Sequence, residues 1–147
     1  MKPLLASWQF WAVLSAGFAA LTAIFAKIGV ENVNSDFATF VRTIVILFAL
    51  GLILSATEQW QNFGSVSRRT YLFLFLSGCA TGASWICYFR ALKLGDASRV
   101  APVDKLSVVL VAVFATAFLG ERPGLREWLG IALVGGGVLL LSLRSGQ

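Results

Sequence analysis

Three ionisable residues stand where the surrounding sequence offers charge no water. Arg42 lies a few residues inside an apolar run over 37–56, and Asp104 and Lys105 lie a similar distance inside another over 101–119. At 1.5 Å of helical rise per residue, all three sit ~8–10 Å below the helix starts. Lys27, at the end of a run over 8–30, reaches the same side of the molecule. A charge at that depth in lipid costs at least ~2.5–3.5 kcal/mol per residue, so such groups pair or face a watery cavity. Asp104 is the acid of the set. Arg42 is its most attractive partner, because a guanidinium grips a carboxylate with two parallel hydrogen bonds. Such a cluster can staple helices together, with the long bases reaching toward headgroups. It can also line or gate a path for a polar solute. With Lys27 it sums to about +2, which favours a solute bearing an anionic group such as a carboxylate.

A third apolar run, over 71–88, supplies a matching wall. Ser77, Thr81, Ser84 and Tyr88 recur at helical spacing and share one face. Trp85 borders that stripe. Hydroxyls beside an amphipathic aromatic suit a small organic solute, and they also serve ordinary bonding between membrane helices. Thr81, Trp85 and Tyr88 are therefore the expected solute contacts, with Arg42, Asp104 and Lys105 along the path. Pro102, in the first turns of the fourth run, is the expected local discontinuity for gating.

The elements that position these residues are five helices, over about 8–30, 37–56, 71–88, 101–119 and 125–143. Each has roughly the ~20 residues needed to cross ~30 Å of hydrocarbon. The joints between them are short and polar, and the longest holds about ten residues. The expected fold is thus an all-α membrane protein, a five-transmembrane-helix bundle forming one domain over 1–147. A hydrophobic share of 58% and a mean hydropathy of +0.81 agree. Unbroken runs such as Val108–Phe114 argue against a membrane barrel, whose strands alternate apolar and polar residues.

Composition also narrows function. There is no histidine, which removes His-based nucleophilic catalysis and most catalytic zinc sites. No nucleophile–base arrangement or metal-ligand set is visible, so neither an enzyme nor a metal or other cofactor is expected. Cys79 and Cys87 lie eight helical positions apart, ~12 Å along the axis and beyond disulfide reach. They read as small packing residues. The net charge of +5 comes from bases that flank apolar runs. It points to membrane lipids as partners rather than nucleic acid.

Helix ends carry their own signals. Asn34 or Ser35 can cap the second helix, with Asp36 near its positive end, and Ser67 can cap the third. Tyr88, Arg90 and Lys93 mark one membrane interface, and Trp8 and Trp11 suit an aromatic belt. Lys2, Arg68, Arg69, Arg122 and Arg126 lie on the side of the N-terminus. Lys27, Arg90, Lys93, Arg99 and Arg144 lie on the other. Excess Lys and Arg normally sets orientation. This balance leaves two readings: insertion in both orientations, forming an antiparallel dimer, or one orientation chosen by charges near the first helix. Gly78 and Gly82, the ridge Ala12–Ala16–Ala20, and Gly130 with Gly135–Gly137 provide faces for close helix approach.

Ala97–Ser98–Arg99–Val100–Ala101–Pro102 leads into the fourth helix, which ends Phe118–Leu119–Gly120–Glu121–Arg122. Trp128–Leu129–Gly130–Ile131–Ala132–Leu133 and a glycine-rich last span follow. This pattern, strongest over 91–143 and extending over essentially the whole chain, resembles the EamA domain of the drug/metabolite transporter superfamily. The resemblance implies a secondary transporter or exporter of small polar metabolites, multi-pass in a membrane, with a bacterial inner membrane the expected one. Typical members carry two such domains, ten helices in an inverted repeat. This chain supplies one, so a homodimer, antiparallel in the dual-topology version, is the implied assembly. The related four-helix small multidrug transporters carry a glutamate in the first span. Here that span has no acid, so any proton coupling would fall to Asp104. A non-transporting membrane scaffold or accessory subunit, and a flippase for a lipid-linked substrate, are the alternatives.

Overall fold

The computed structural model describes residues 7–143, all outside regular strands and most of them helical. Lys2 and Arg144, named above for the chain ends, lie outside the described residues. The helices are α1 (Trp8–Val30), α2 (Ser35–Ala56), α3 (Arg68–Leu94), α4 (Ala97–Asp104), α5 (Leu106–Phe114) and α6 (Leu125–Leu143). A 3₁₀ turn, Phe63–Ser65, sits in the joint before α3, and a π-helical turn, Ala115–Leu119, follows α5. Counting 97–119 as one crossing, five segments are long and apolar enough to span a bilayer.

Side chains on these segments are apolar and open. Leu47 is 72% exposed, Phe48 68% and Leu133 77%. In water a surface of this kind would associate or precipitate. In hydrocarbon it is the solvated surface, and the backbone is satisfied by its own helix. The chain is therefore a multi-pass integral membrane protein of all-α class.

Caps settle where the helices begin. Asn34 Oδ1 accepts the backbone N–H groups of Asp36 (2.9 Å) and Phe37 (3.2 Å) and so starts α2 at Ser35, two residues before the apolar run. Ser67 Oγ accepts the N–H of Thr70 at 3.1 Å and starts α3 at Arg68. Helix α3 also runs six residues past Tyr88, to Leu94. Its polar end, Arg90 and Lys93, continues the helix because each charge finds a partner there. Gly120 ends the fourth crossing with φ +70°, a left-handed conformation glycine adopts without penalty. The N–H of Glu121 then returns to Ala115 O at 3.2 Å.

The fourth crossing is broken at Lys105 rather than at Pro102. Pro102 lies inside α4. One turn further on, Lys105 N–H donates to Pro102 O (2.9 Å), and Val108 N–H donates to Lys105 O (3.0 Å). These are i→i+3 bonds, tighter than those of an α-helix, and they divide α4 from α5.

The described residues fall into two compact units. One is Ile24–Leu94. The other joins the described part of Met1–Ala23 to that of Gly95–Gln147. In the first, α2 packs along α3; in the second, α4 and α5 pack against α6. The α5–α6 approach is close: a Cβ built on Gly135 would lie 3.1 Å from Val109 Cγ2. That bears out the packing role expected for Gly135. A Cβ on Gly78, Gly82, Gly136 or Gly137 would meet no atom within 4 Å.

Candidate functional site

In the unit Ile24–Leu94, α2 and α3 run antiparallel, and three contacts step down the pair in register. At the end of α3, Lys93 Nζ donates to Val33 O at 2.7 Å. One turn deeper, Arg90 donates to both carboxylate oxygens of Asp36, Nε to Oδ1 at 3.0 Å and Nη2 to Oδ2 at 2.6 Å. Deeper again, the guanidinium carbon of Arg42 lies 3.4 Å from the ring centroid of Trp85. Lys27, from α1, adds a bond to the same end, its Nζ donating to Leu92 O at 2.8 Å. Val30, Phe89 and Leu92 are buried beside these ties.

Trp85 is the centre of an aromatic group. Tyr88 meets it edge-on at 5.5 Å between centroids, and Phe89 at 5.8 Å. Arg42 thus rests on a ring that its neighbours hold in place. Stacking on an indole face occupies the flat of a guanidinium and leaves the N–H groups of its rim pointing outward. Within this unit, among the described residues, Arg42 has no carboxylate, carbonyl or hydroxyl partner. On α2 beside it, Thr39 Oγ1 donates to Ser35 O (2.9 Å) and Thr43 Oγ1 to Thr39 O (2.8 Å). Thr81 lies on an open part of α3 and donates to Ser77 O at 2.8 Å.

In the other unit, Lys105 Nζ lies 3.2 Å from Asp104 Oδ2. Neighbouring residues of an unbroken helix point away from each other. These two pair at the residue where the α-helical bonding lapses. The charges that sequence reasoning gathered into one cluster are thus each met inside their own unit: Arg42 by Trp85, Lys27 by a carbonyl, Asp104 by Lys105. An open hollow of about 410 Å³ lies in this unit, lined by Ala112, Glu121, Arg122, Pro123, Glu127 and Ile131. Glu127 is engaged as a cap, its Oε2 accepting the N–H of Gly124 at 2.6 Å. Cys79 and Cys87 are free thiols on exposed positions.

The ion pair between Asp36 and Arg90 escaped sequence reasoning, which gave the two residues separate duties at helix ends. A signal existed: opposite charges at the start of one helix and the end of the next are neighbours in any antiparallel pair. Both side chains are well exposed, at 46% and 60%, so the pair contributes modestly. Asp36→Ala and Arg90→Ala are each expected to lower the melting temperature slightly. The double variant should melt no more than marginally below the worse single variant. Strictly additive losses in that cycle would mean the two groups are energetically independent.

Open apolar helices, a guanidinium seated on an indole, and charges at a helix break define a membrane protein with polar groups held inside its lipid-crossing region. The EamA-like transporter family matches residues 6–143, and the chain belongs to that family. It is 63% identical over 137 residues to a Sinorhizobium sp protein called "Uncharacterized transporter in cobO 3'region", covering 93% of this chain and 97% of that one. "Uncharacterized transporter YxxF" of Bacillus subtilis (strain 168) is 29% identical over 146 residues, which are 98% of this chain and 45% of that protein. The chain thus spans less than half of the Bacillus relative. "Probable 4-amino-4-deoxy-L-arabinose-phosphoundecaprenol flippase subunit ArnE" of Yersinia pestis (strain Pestoides F) is 33% identical over 90 residues, 59% of this chain and 77% of that one. No solved structure matches the chain.

Proposed function

We propose that this chain carries small polar metabolites across a membrane as a homodimer, and that it does so as a carrier rather than as an enzyme. Membership of a transporter family supports the class. The observation that supports the site best is the Arg42 guanidinium 3.4 Å from the Trp85 ring centroid, on a helix long and apolar enough to cross lipid. Arg42, Trp85, Tyr88 and Thr81 contact the solute in one unit. Asp104 and Lys105 line the path in the other, and the break following Pro102 lets α4 and α5 move separately. The match to 45% of the Bacillus relative supports two copies doing what one longer chain does. The balanced Lys and Arg count supports their pairing upside down, in a bacterial inner membrane.

Uptake by proteoliposomes, tested against a panel of labelled organic acids, amino acids and amines, examines the activity. Reporters fused at Met1 and Gln147 examine the assembly. At least one solute is expected to accumulate above protein-free vesicles, and each terminus is expected on both sides of the membrane. Accumulation of none sinks the carrier reading; a single fixed orientation sinks the antiparallel pair.

The likeness to the Yersinia flippase subunit favours a second reading, in which the moved solute is the head of a lipid-linked molecule. Transfer of a lipid-linked sugar between leaflets, with no uptake of free solutes, would decide for it.

A further inference from the structure

We infer that the rim of the Arg42 guanidinium, held against Trp85, is the docking point for an oxyanion, a carboxylate or a phosphate, on an organic solute with an apolar body. The inference rests on the carrier reading and names the class of solute. Arg42 lies seven residues into α2, ~10 Å along the helix axis. A charge at such depth must be compensated, and a ring face compensates only part of it. What the indole leaves over is the fork of N–H donors, whose geometry matches the paired oxygens of a carboxylate or phosphate. No carboxylate of this unit takes it: Asp36 is held by both arms of Arg90. Trp85 and Tyr88 stand beside the fork as apolar surface for the remainder of the solute, with the buried Phe89 behind the indole. Two sources could supply the oxyanion, a dissolved solute or the phosphate of a lipid headgroup.

Benzoate, with one carboxylate on an apolar ring, is the probe, and benzamide is its uncharged counterpart. The full chain is placed in nanodiscs of zwitterionic phosphatidylcholine, and its melting temperature is followed as each is titrated. A ligand selective for the folded state raises that temperature. Benzoate is expected to raise it and benzamide to leave it unchanged. Arg42→Lys keeps the charge and should insert as the parent does, but loses the fork, and should bind benzoate about tenfold more weakly. Arg42→Gln should lose the response. Equal responses in the parent and both variants overturn the inference. So does a response to benzamide equal to that of benzoate. In the lipid arm, phosphatidylglycerol replaces part of the phosphatidylcholine, and inorganic phosphate is titrated separately. Stabilisation by phosphatidylglycerol with none by benzoate or inorganic phosphate assigns the fork to lipid and overturns a solute site. Vesicle uptake keeps this inference apart from the carrier reading. Transport of any solute by the parent, with no benzoate binding or competition, removes the docking point and leaves the carrier. Benzoate binding at Arg42 in a protein that moves nothing removes the carrier and leaves the docking point.

Discussion

Proteoliposomes bearing Arg42→Ala or Asp104→Asn are expected to lose solute uptake by at least about tenfold, while dimers still form. The two losses have different origins. Truncating Arg42 removes the cation from the face of Trp85 and with it the charge-assisted donors, each worth about 1.5–3 kcal/mol to a bound anion. The helix itself loses a residue that costs lipid insertion ~2.5–3.5 kcal/mol, so folding should not suffer. Asp104→Asn leaves Lys105 without its 3.2 Å carboxylate, in a crossing already broken at that residue. The unbalanced ammonium then raises the energy of any conformation that withdraws it from water. Initial rates at matched protein content, with cross-linking as the assembly control, give the answer. Wild-type rates in both variants would remove these residues from the path.

Gly135→Leu is expected to destabilise the protein by about 1–3 kcal/mol, the usual range for forcing extra carbons into a packed contact. Even a methyl group on Gly135 would stand 3.1 Å from Val109 Cγ2, closer than carbon atoms rest. Leucine adds three more carbons in that direction. Val109→Ala should restore much of the loss, because it removes the atoms that clash. Gly136→Leu is the control: its Cβ meets nothing within 4 Å and should leave the melting temperature almost unchanged. Thermal unfolding in one detergent measures all three variants. Equal behaviour of the two leucine variants would show that α5 and α6 are not in close contact.

Much of this was legible beforehand. Hydrocarbon thickness imposes a length on every crossing, so the five spans followed from the apolar runs alone. Asn34 and Ser67 announced two helix starts because a short side-chain oxygen there satisfies amides the helix cannot. What stayed hidden depends on register, which no single helix encodes. Within its own unit Arg42 meets the face of Trp85, a contact that counting charges does not reveal. Once α2 and α3 run side by side, Arg42 falls level with Trp85 and Arg90 with Asp36. The break at Lys105 was displaced from Pro102 because the tight turn formed one turn after the proline. The apolar run over 71–88 marks the crossing alone; α3 continues to Leu94 because Arg90 and Lys93 find partners beyond it.

Those last turns of α3 have a consequence for the surroundings of the protein. The apolar part of the helix already matches ~30 Å of hydrocarbon, so Arg90 and Lys93 stand among the phosphates of the adjoining leaflet. The Asp36 and Val33 oxygens that hold them there compete with lipid phosphates for the same cations. The joint between α1, α2 and α3 is therefore expected to be weaker beside anionic lipid than beside zwitterionic lipid, and the melting temperature of the protein in nanodiscs of each composition measures the difference.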